Sequence, residues 1–172
     1  MSARTYAVTN GAAPGIAAPV AVSSSTAIRT MMQIATATTT PPIRFVEWWV
    51  EFDGSTAATP IKVELLRNTG GPQSTLTAYV AADIAKVNDG GAGAPVSSIQ
   101  LGTALSGYFN TTTEITPTGA VSLETHFVPP TSGIYVQFPL GREPEVGTSQ
   151  FARVRLTAAA AVNCLAGVMW EE

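Results

Sequence analysis

The strongest constraint on the fold is an alternation of apolar and polar side chains with a period of two residues. It is clearest from Ile43 to Arg67, where two alternating runs flank a turn rich in Gly, Ser and Thr. Successive side chains of a strand point to opposite faces, so each run predicts a half-buried strand. In the first run, the parity expected to face the core consists of Val46, Trp48, Val50 and Phe52. The parity expected to be partly covered, by a second sheet or another subunit, consists of Ile43, Phe45, Glu47, Trp49 and Glu51.

Further runs of this kind, separated by Gly, Pro and Asn turns, predict strands along the rest of the chain. No segment has the pattern of a long helix, and only residues 81–87 suggest a brief helical turn. The predicted strands cover residues 5–9, 26–38, 74–80, 98–101, 107–111, 120–127, 133–140, 151–157 and 161–170. Short strands recurring between turns predict an all-β fold, an antiparallel β-sandwich of jelly-roll type.

A chain of 172 residues is most simply one domain, and it is large enough to form a core without a disulfide or a metal. Residues 1–24 differ from the rest because they are rich in Gly, Pro, Ala and Ser, with Pro14 and Pro19 interrupting them. We expect either an extended N-terminal arm that lies on a neighbour or a disordered lead-in. Residues 25–172 are then a single β-sandwich domain.

The charge content restricts the partners. Only 12% of residues are charged, against about 25% in ordinary globular domains, and such a surface is better suited to burial in an assembly. The nine Lys and Arg residues are scattered and the net charge is −3, which argues against nucleic acid as a partner. No apolar run approaches the ~18 residues of a membrane span, and no signal-like segment opens the chain. We expect synthesis in the cytoplasm and no membrane partner.

The residues that could do chemistry do not form a recognisable site. His126 is the only histidine, and a Ser122, Glu124, His126 row along one strand would extend over ~13 Å, which is the wrong geometry for a triad. Glu47 and Glu51 are separated by a similar distance, too far for paired carboxylate catalysis. Cys164 is the only cysteine and lies in an apolar stripe, as a core residue would. The sequence therefore predicts a non-enzymatic protein with no catalytic, cofactor-binding or metal-binding residues.

Two groups of residues are candidates for contacts with partners. Alternation places three aromatic side chains outward, where they could pack against another subunit or stack on a sugar ring. A charged, proline-stiffened loop follows the predicted strand 133–140, and it could equally be a solvated turn or contain an ion pair to Arg142. The candidate interface residues are Trp49, Tyr79 and Tyr135 in the first group, and Arg142, Glu143 and Glu145 in the second.

Two segments also resemble a known family when taken in order. They are EWWVEFDG with TPIKVELLRNTGG, and YVQFPLGREPEV further along. Together they resemble small structural proteins of tailed bacteriophages, of the capsid decoration or cement type, over about Thr26 to Trp170. The resemblance implies a virion protein on the outer capsid surface, bound to the major capsid protein as a homotrimer at three-fold or quasi-three-fold positions. The alternative is a head-fibre or tail-tip jelly-roll module that binds carbohydrate on the host surface.

Overall fold

The computed structural model describes residues 4–11, 22–23, 27–39, 42–54, 59–88, 98–102, 105–109 and 113–172. Within these residues the chain is nearly all β, with a single 3-10 turn at Ala81–Asp83. The strands are β1 (Thr5–Thr9), β2 (Val22–Ser23), β3 (Ile28–Thr36), β4 (Ile43–Phe52), β5 (Ile61–Asn68), β6 (Leu76–Ala78), β7 (Ala85–Lys86), β8 (Ile99–Gln100), β9 (Gly107–Phe109), β10 (Val121–Val128), β11 (Gly133–Gln137), β12 (Glu145–Val146), β13 (Phe151–Thr157) and β14 (Asn163–Glu171).

The strands form two antiparallel sheets that pack face to face, which confirms the predicted β-sandwich. The first sheet has the order β11-β4-β14-β1-β7, with β12 beside β4 and β2 beside β14. The second has the order β10-β5-β13-β3-β9-β6, with β8 beside β3. In chain order, the first of the eight longer strands pairs with the eighth, the second with the seventh, the third with the sixth and the fourth with the fifth. These four pairs lie in the two sheets alternately. This is the connectivity of a jelly roll.

The core lies between the sheets and is filled mainly by β-branched and aromatic side chains. Tyr6 and Trp170 stack in it at a ring-centroid distance of 5.8 Å, and Trp48 is fully buried. Cys164 is also fully buried, as predicted, and burial raises the pKa of its thiol. The apolar stripe of the predicted strand 161–170 is buried at every member: Val162, Cys164, Ala166, Val168 and Trp170.

A β-bulge in β4 overturns part of the predicted face assignment. Glu47 pairs with Met169 and Phe45 pairs with Trp170, so Val46 is an extra residue opposite β14. A bulge places two residues opposite one and reverses the alternation beyond it. Ile43 and Phe45 are therefore fully buried and Val46 is only half-buried, so the predicted faces of these three residues are wrong. The predicted core positions Trp48, Val50 and Phe52 are confirmed.

A second bulge lies in β10, where Leu123 has no partner in β5. Val128 is buried, and His126 and Glu124 lie on the same side of the strand as Val128. His126 accordingly packs against Trp48 at the open edge of the sandwich, with ring centroids 6.0 Å apart. Phe127 points the other way and is 71% exposed. In this part of β10 the polar residues Glu124 and His126 therefore face the sandwich, and an aromatic ring faces solvent.

A buried polar cluster covers part of the outer face of the second sheet. Arg153, on β13, is fully buried, and its guanidinium donates to the carbonyl of Ile115 at 2.9 Å and to the carbonyl of Gly71. It also lies 3.4 Å from Oε1 of Glu114. The Glu114 carboxylate accepts hydrogen bonds at 2.7 Å from the Thr30 backbone N–H through Oε2 and from the Thr30 hydroxyl through Oε1. This cluster attaches the segment before β10 to β3 and β13.

The first residues of the predicted arm include a strand of the first sheet. Thr5–Thr9 was predicted as a strand, and it pairs with β14 on one side and with β7 on the other. Val22–Ser23 pairs with the beginning of β14. Residues 12–21 and 24–26 lie outside the described residues, so the extended arm and the boundary at residue 24 stay predictions.

Candidate functional site

The six predicted interface residues fall into three places in the fold. Trp49 and Tyr135 are neighbours on the outer face of the first sheet, since they are directly paired across β4 and β11. Tyr79 lies in the core. Arg142, Glu143 and Glu145 lie in the segment between β11 and β13, with Glu145 at the start of β12. The structure therefore brings together the first two aromatic residues and separates them from Tyr79.

The indole ring of Trp49 lies over a glycine on the adjacent strand. Gly167 is its partner on β14. A β-carbon at Gly167 would overlap three atoms of the indole ring, and even the farthest of these, Cη2, would lie only 2.7 Å from that β-carbon. The indole thus occupies the space that a side chain at position 167 would need. Aromatic rings that cover a glycine on the adjacent strand are a known means of pinning strand register. Trp49 is half-buried, so part of its ring remains open to solvent.

Tyr135 extends the aromatic surface to the edge of the sheet. Its ring stacks on Trp49 with centroids 6.4 Å apart and an interplanar angle of 27°, and its side chain is 60% exposed. The phenol hydroxyl donates a hydrogen bond to the Glu47 carboxylate, diagonally across the two strands. This hydrogen bond raises the pKa of Tyr135. The two rings and the carboxylate therefore form one fixed surface. We call this surface, composed of Trp49, Tyr135 and Glu47, the Trp49 platform.

The outward placement predicted for Tyr79 is wrong. The strand β6 ends at Ala78, so the alternation that would put Tyr79 outward does not continue through it. Tyr79 is 1% exposed, its ring lies 5.6 Å from that of Tyr108, and its hydroxyl donates to the carbonyl of Thr9 at 2.7 Å. Burial raises the pKa of this phenol well above its ordinary value. Tyr79 is a core residue that connects the two sheets.

The loop after β11 contains a tight turn that presents a leucine. The backbone N–H of Arg142 donates to the carbonyl of Pro139 at 2.9 Å, and Gly141 has a φ of 80°, the conformation that a type II turn needs at its third position. The carboxylate of Glu143 accepts from the backbone N–H of Gly141 at 2.7 Å and stabilises the turn. Leu140 occupies the second position and is 97% exposed. Leu140 was not among the predicted interface residues, although Gly141 at the third position is the residue that a type II turn requires.

Glu145 connects the loop to the two sheets. Its side chain lies 3.8 Å from Arg44 on β4, and its carbonyl accepts a hydrogen bond from Arg67 on β5 at 2.8 Å. The acidic residues of the loop therefore contact Gly141, Arg44 and Arg67, and not Arg142 as one of the sequence-based alternatives had it.

The face that carries the Trp49 platform is acidic. Glu47 and Glu51 lie on either side of Trp49 along β4, and Glu171 lies further along the same face on β14. Arg44 also projects from this face, where it lies between Glu145 and Glu171 on the adjacent strands. Among the ion pairs of the described residues, none involves Glu47 or Glu51.

The neighbours of His126 do not form a catalytic arrangement. Its Nε2 lies 3.0 Å from a carboxylate oxygen of Glu124, while the Ser122 hydroxyl lies 2.8 Å from the hydroxyl of Thr125 on the other side of the strand. In the part of the chain that the structure describes, no three His, Cys, Asp or Glu residues are placed to hold a metal ion. The same residues contain no helix with the length and hydropathy needed to cross a membrane.

Comparison with protein-family models, with curated proteins and with solved structures finds no match to this chain.

Proposed function

We propose that the protein is a non-enzymatic structural component of a tailed-bacteriophage virion. In this proposal it is made in the host cytoplasm and binds the outer surface of the assembled capsid as a homotrimer, where it contacts the major capsid protein and stabilises the shell. The sequence resemblance over Thr26 to Trp170 suggests this role. The structural observation that supports it best is the exposure of large apolar side chains on well-supported elements at one side of the sandwich.

The three most exposed of these side chains stand on or beside the edge strands β10 and β11. Phe127 is 71% exposed, Tyr135 is 60% exposed and Leu140 is 97% exposed. None of the three belongs to the hydrophobic core of the described residues. Large apolar residues at a rigid, exposed position are typical of residues that become buried in a partner. The edge strands themselves present unpaired backbone groups, which also favours association.

The architecture is compatible with the proposal at the level of analogy. Jelly rolls are common in viral capsid proteins and in lectins, and the same fold carries unrelated functions elsewhere. The fold therefore supports both a capsid role and a carbohydrate-binding role, and the choice depends on the surface.

The proposal is tested by mixing the purified protein with capsids that lack it, followed by sedimentation and light scattering. We expect a trimer in solution and saturable co-sedimentation. Leu140→Ser should weaken binding to capsids or trimer formation, while Val87→Ser, which removes another exposed apolar residue (50% exposed) outside the β10–β11 side, should leave both unchanged. A protein that stays monomeric and does not co-sediment would refute the proposal.

The second candidate function is binding of host-surface carbohydrate by a head-fibre or tail-tip module. The adjacency of Trp49 and Tyr135 favours it, since a flat, fixed aromatic surface on an open sheet face can stack on a sugar ring. A glycan array checks this directly. Binding to a defined glycan that Trp49→Ala abolishes, without a change in oligomeric state, would support the carbohydrate function over the capsid function.

A further inference from the structure

We propose that the Trp49 platform binds a cationic side chain, an arginine or a lysine, of a protein partner. The inference rests on the proposed function in one respect only, because it assumes that the partner is a protein. It adds the chemistry that this partner must present at this face.

The geometry of the Trp49 and Tyr135 rings suits a bound cation. Gly167 lets the indole of Trp49 lie flat on the sheet, and Tyr135 continues the surface with a ring inclined by 27° to it. The faces of aromatic rings are electrically negative, and a guanidinium or ammonium group within about 6 Å of a ring centroid is attracted to them. Tryptophan is the best of the aromatic side chains for this contact.

The negative charge around the rings also favours a cation. Glu47 and Glu51 are each two residues from Trp49 on the same strand face, which places their Cα atoms about 7 Å from that of Trp49. Arg44 is the basic residue on this face of β4, and it already lies between Glu145 and Glu171. A cation over Trp49 would therefore meet two carboxylates that form no ion pair with the described residues.

The hydrogen-bonding groups beside the rings suit a guanidinium group. The Tyr135 hydroxyl already donates to Glu47, so this carboxylate is fixed beside the ring as an acceptor. A guanidinium has five donors and no acceptor, and it can lie flat on an aromatic ring while donating to carboxylates at its rim. A neutral sugar would also stack, but it would gain nothing from the negative charge. The charge of the face thus favours a cation, and arginine over lysine.

The test uses the intrinsic fluorescence of the protein. Trp48 and Trp170 are fully buried, so a ligand at the surface should change mainly the emission of Trp49. The protein is titrated with a hexa-arginine peptide, a hexa-lysine peptide and the neutral sugar maltohexaose, at low and at high salt. We expect saturable binding of hexa-arginine, weaker binding of hexa-lysine, and a marked loss of both at high salt because the charges are exposed.

Variants separate the platform from general electrostatic attraction. Tyr135→Leu and Trp49→Leu should each weaken hexa-arginine binding about two- to fivefold, the range expected for one exposed cation–π contact. For Trp49→Leu the fluorescence signal is lost, so binding is measured by calorimetry. Glu51→Gln should weaken it about twofold. Glu124→Gln removes the same charge from an edge strand of the other sheet and should have no effect.

Three results would overturn the inference: maltohexaose binding as well as hexa-arginine, equal effects of Glu124→Gln and Glu51→Gln, or full binding in the Tyr135→Leu variant. If Trp49→Leu does not fold, Tyr135→Leu and Glu51→Gln still decide the question. Failure of the two proposals is distinguishable. A protein that binds hexa-arginine at the platform but not capsids would reject the capsid function alone, and one that binds capsids through a platform-independent surface would reject this inference alone.

Discussion

The indole ring of Trp49 lies over Gly167 on the adjacent strand, in the space that a β-carbon at position 167 would occupy. This contact lets an aromatic ring lie flat on a sheet face without a neighbouring side chain lifting it. The residues involved belong to β4 and β14, two interior strands of the first sheet, so the ring is supported by strands that are paired on both sides.

We expect Gly167→Ala to destabilise the protein by about 1–3 kcal/mol, the usual cost of forcing an extra group into a filled space. The added methyl group must displace the indole, so the fluorescence of Trp49 should also change. Chemical denaturation measures the loss of stability. The matched control is Gly70→Ala, since a β-carbon there meets Thr118 only at an ordinary contact distance of 3.5 Å and should cost much less.

A double-mutant cycle assigns this cost to the contact itself. If Trp49 causes the clash, Gly167→Ala should cost less when Trp49 is already alanine, because the ring is no longer in the way. Strictly additive effects of Trp49→Ala and Gly167→Ala would show that the ring does not lie on Gly167.

Because of the bulge at Val46, we expect Phe45→Ala to cost more stability than Val46→Ala, which is opposite to what the sequence pattern predicts. Phe45 is fully buried, so Phe45→Ala should cost about 3–5 kcal/mol. Val46 is half-buried, so Val46→Ala should cost only about 1 kcal/mol. Denaturant titrations of the two variants compare these values directly. A larger loss for Val46→Ala than for Phe45→Ala would mean that β4 has no bulge and that strict alternation is correct.

The sequence predicted the parts of the fold in which alternation is unbroken. Alternate apolar positions of β5 (Ile61, Val63, Leu65) and of β13 (Ala152, Val154, Leu156) are buried, and so is the apolar stripe that contains Cys164. In these strands each side chain faces the core or the outside according to its parity alone. The sandwich class followed from such strands, because several of them with turns between them have few other ways to bury their apolar faces.

The errors arose where a side chain's direction depends on a partner strand. Val46 is an extra residue opposite β14, and a bulge is a property of the pairing that one strand's pattern does not reveal. Tyr79 follows the end of β6, where alternation no longer applies. The adjacency of Trp49 and Tyr135 depends on the register of β4 and β11, residues far apart in the chain. Trp49 and Tyr135 were each predicted from the sequence as interface residues, but the sequence did not predict that they are neighbours.

The buried pair of Glu114 and Arg153 should be costly to break from one side. Arg153 is fully buried, and burial lowers the pKa of its guanidinium while the charge of Glu114 opposes this shift. Glu114→Ala should therefore destabilise the protein by about 3–5 kcal/mol, because it leaves a buried charge without its counter-ion. Thermal and denaturant unfolding measure the loss.

Replacing both partners of this pair should cost less than replacing the acid alone. In the Glu114→Ala, Arg153→Met double variant no buried charge is left, and a methionine fills much of the space of the arginine side chain. A double variant that is less stable than Glu114→Ala alone would indicate that the hydrogen bonds from Arg153 to the carbonyls of Ile115 and Gly71 matter more than its charge.

Glu64 should contribute to the loss of stability in acid. Burial alone would raise the pKa of its carboxyl, but the hydrogen bond from Lys62 and the positive charges of Arg155 and Lys62 outweigh this, and the pKa lies below its ordinary value. The Lys62 ammonium is 2.7 Å from the carboxylate and the Arg155 guanidinium is 3.0 Å from it. A carboxyl with a lowered pKa in the folded state stabilises the protein above its unfolded-state pKa, and this stabilisation is lost as the pH falls through the folded-state pKa.

We therefore expect Glu64→Gln to be less stable than the wild type at neutral pH and to lose less stability between about pH 5 and about pH 3. Denaturant unfolding across this range measures both slopes. Glu51→Gln is the matched control for the loss of a carboxylate, because Glu51 is exposed and forms no ion pair among the described residues. Parallel curves for Glu64→Gln and the wild type would show that Lys62 and Arg155 do not lower the pKa of Glu64, since removal of a carboxyl with a shifted pKa must change the slope.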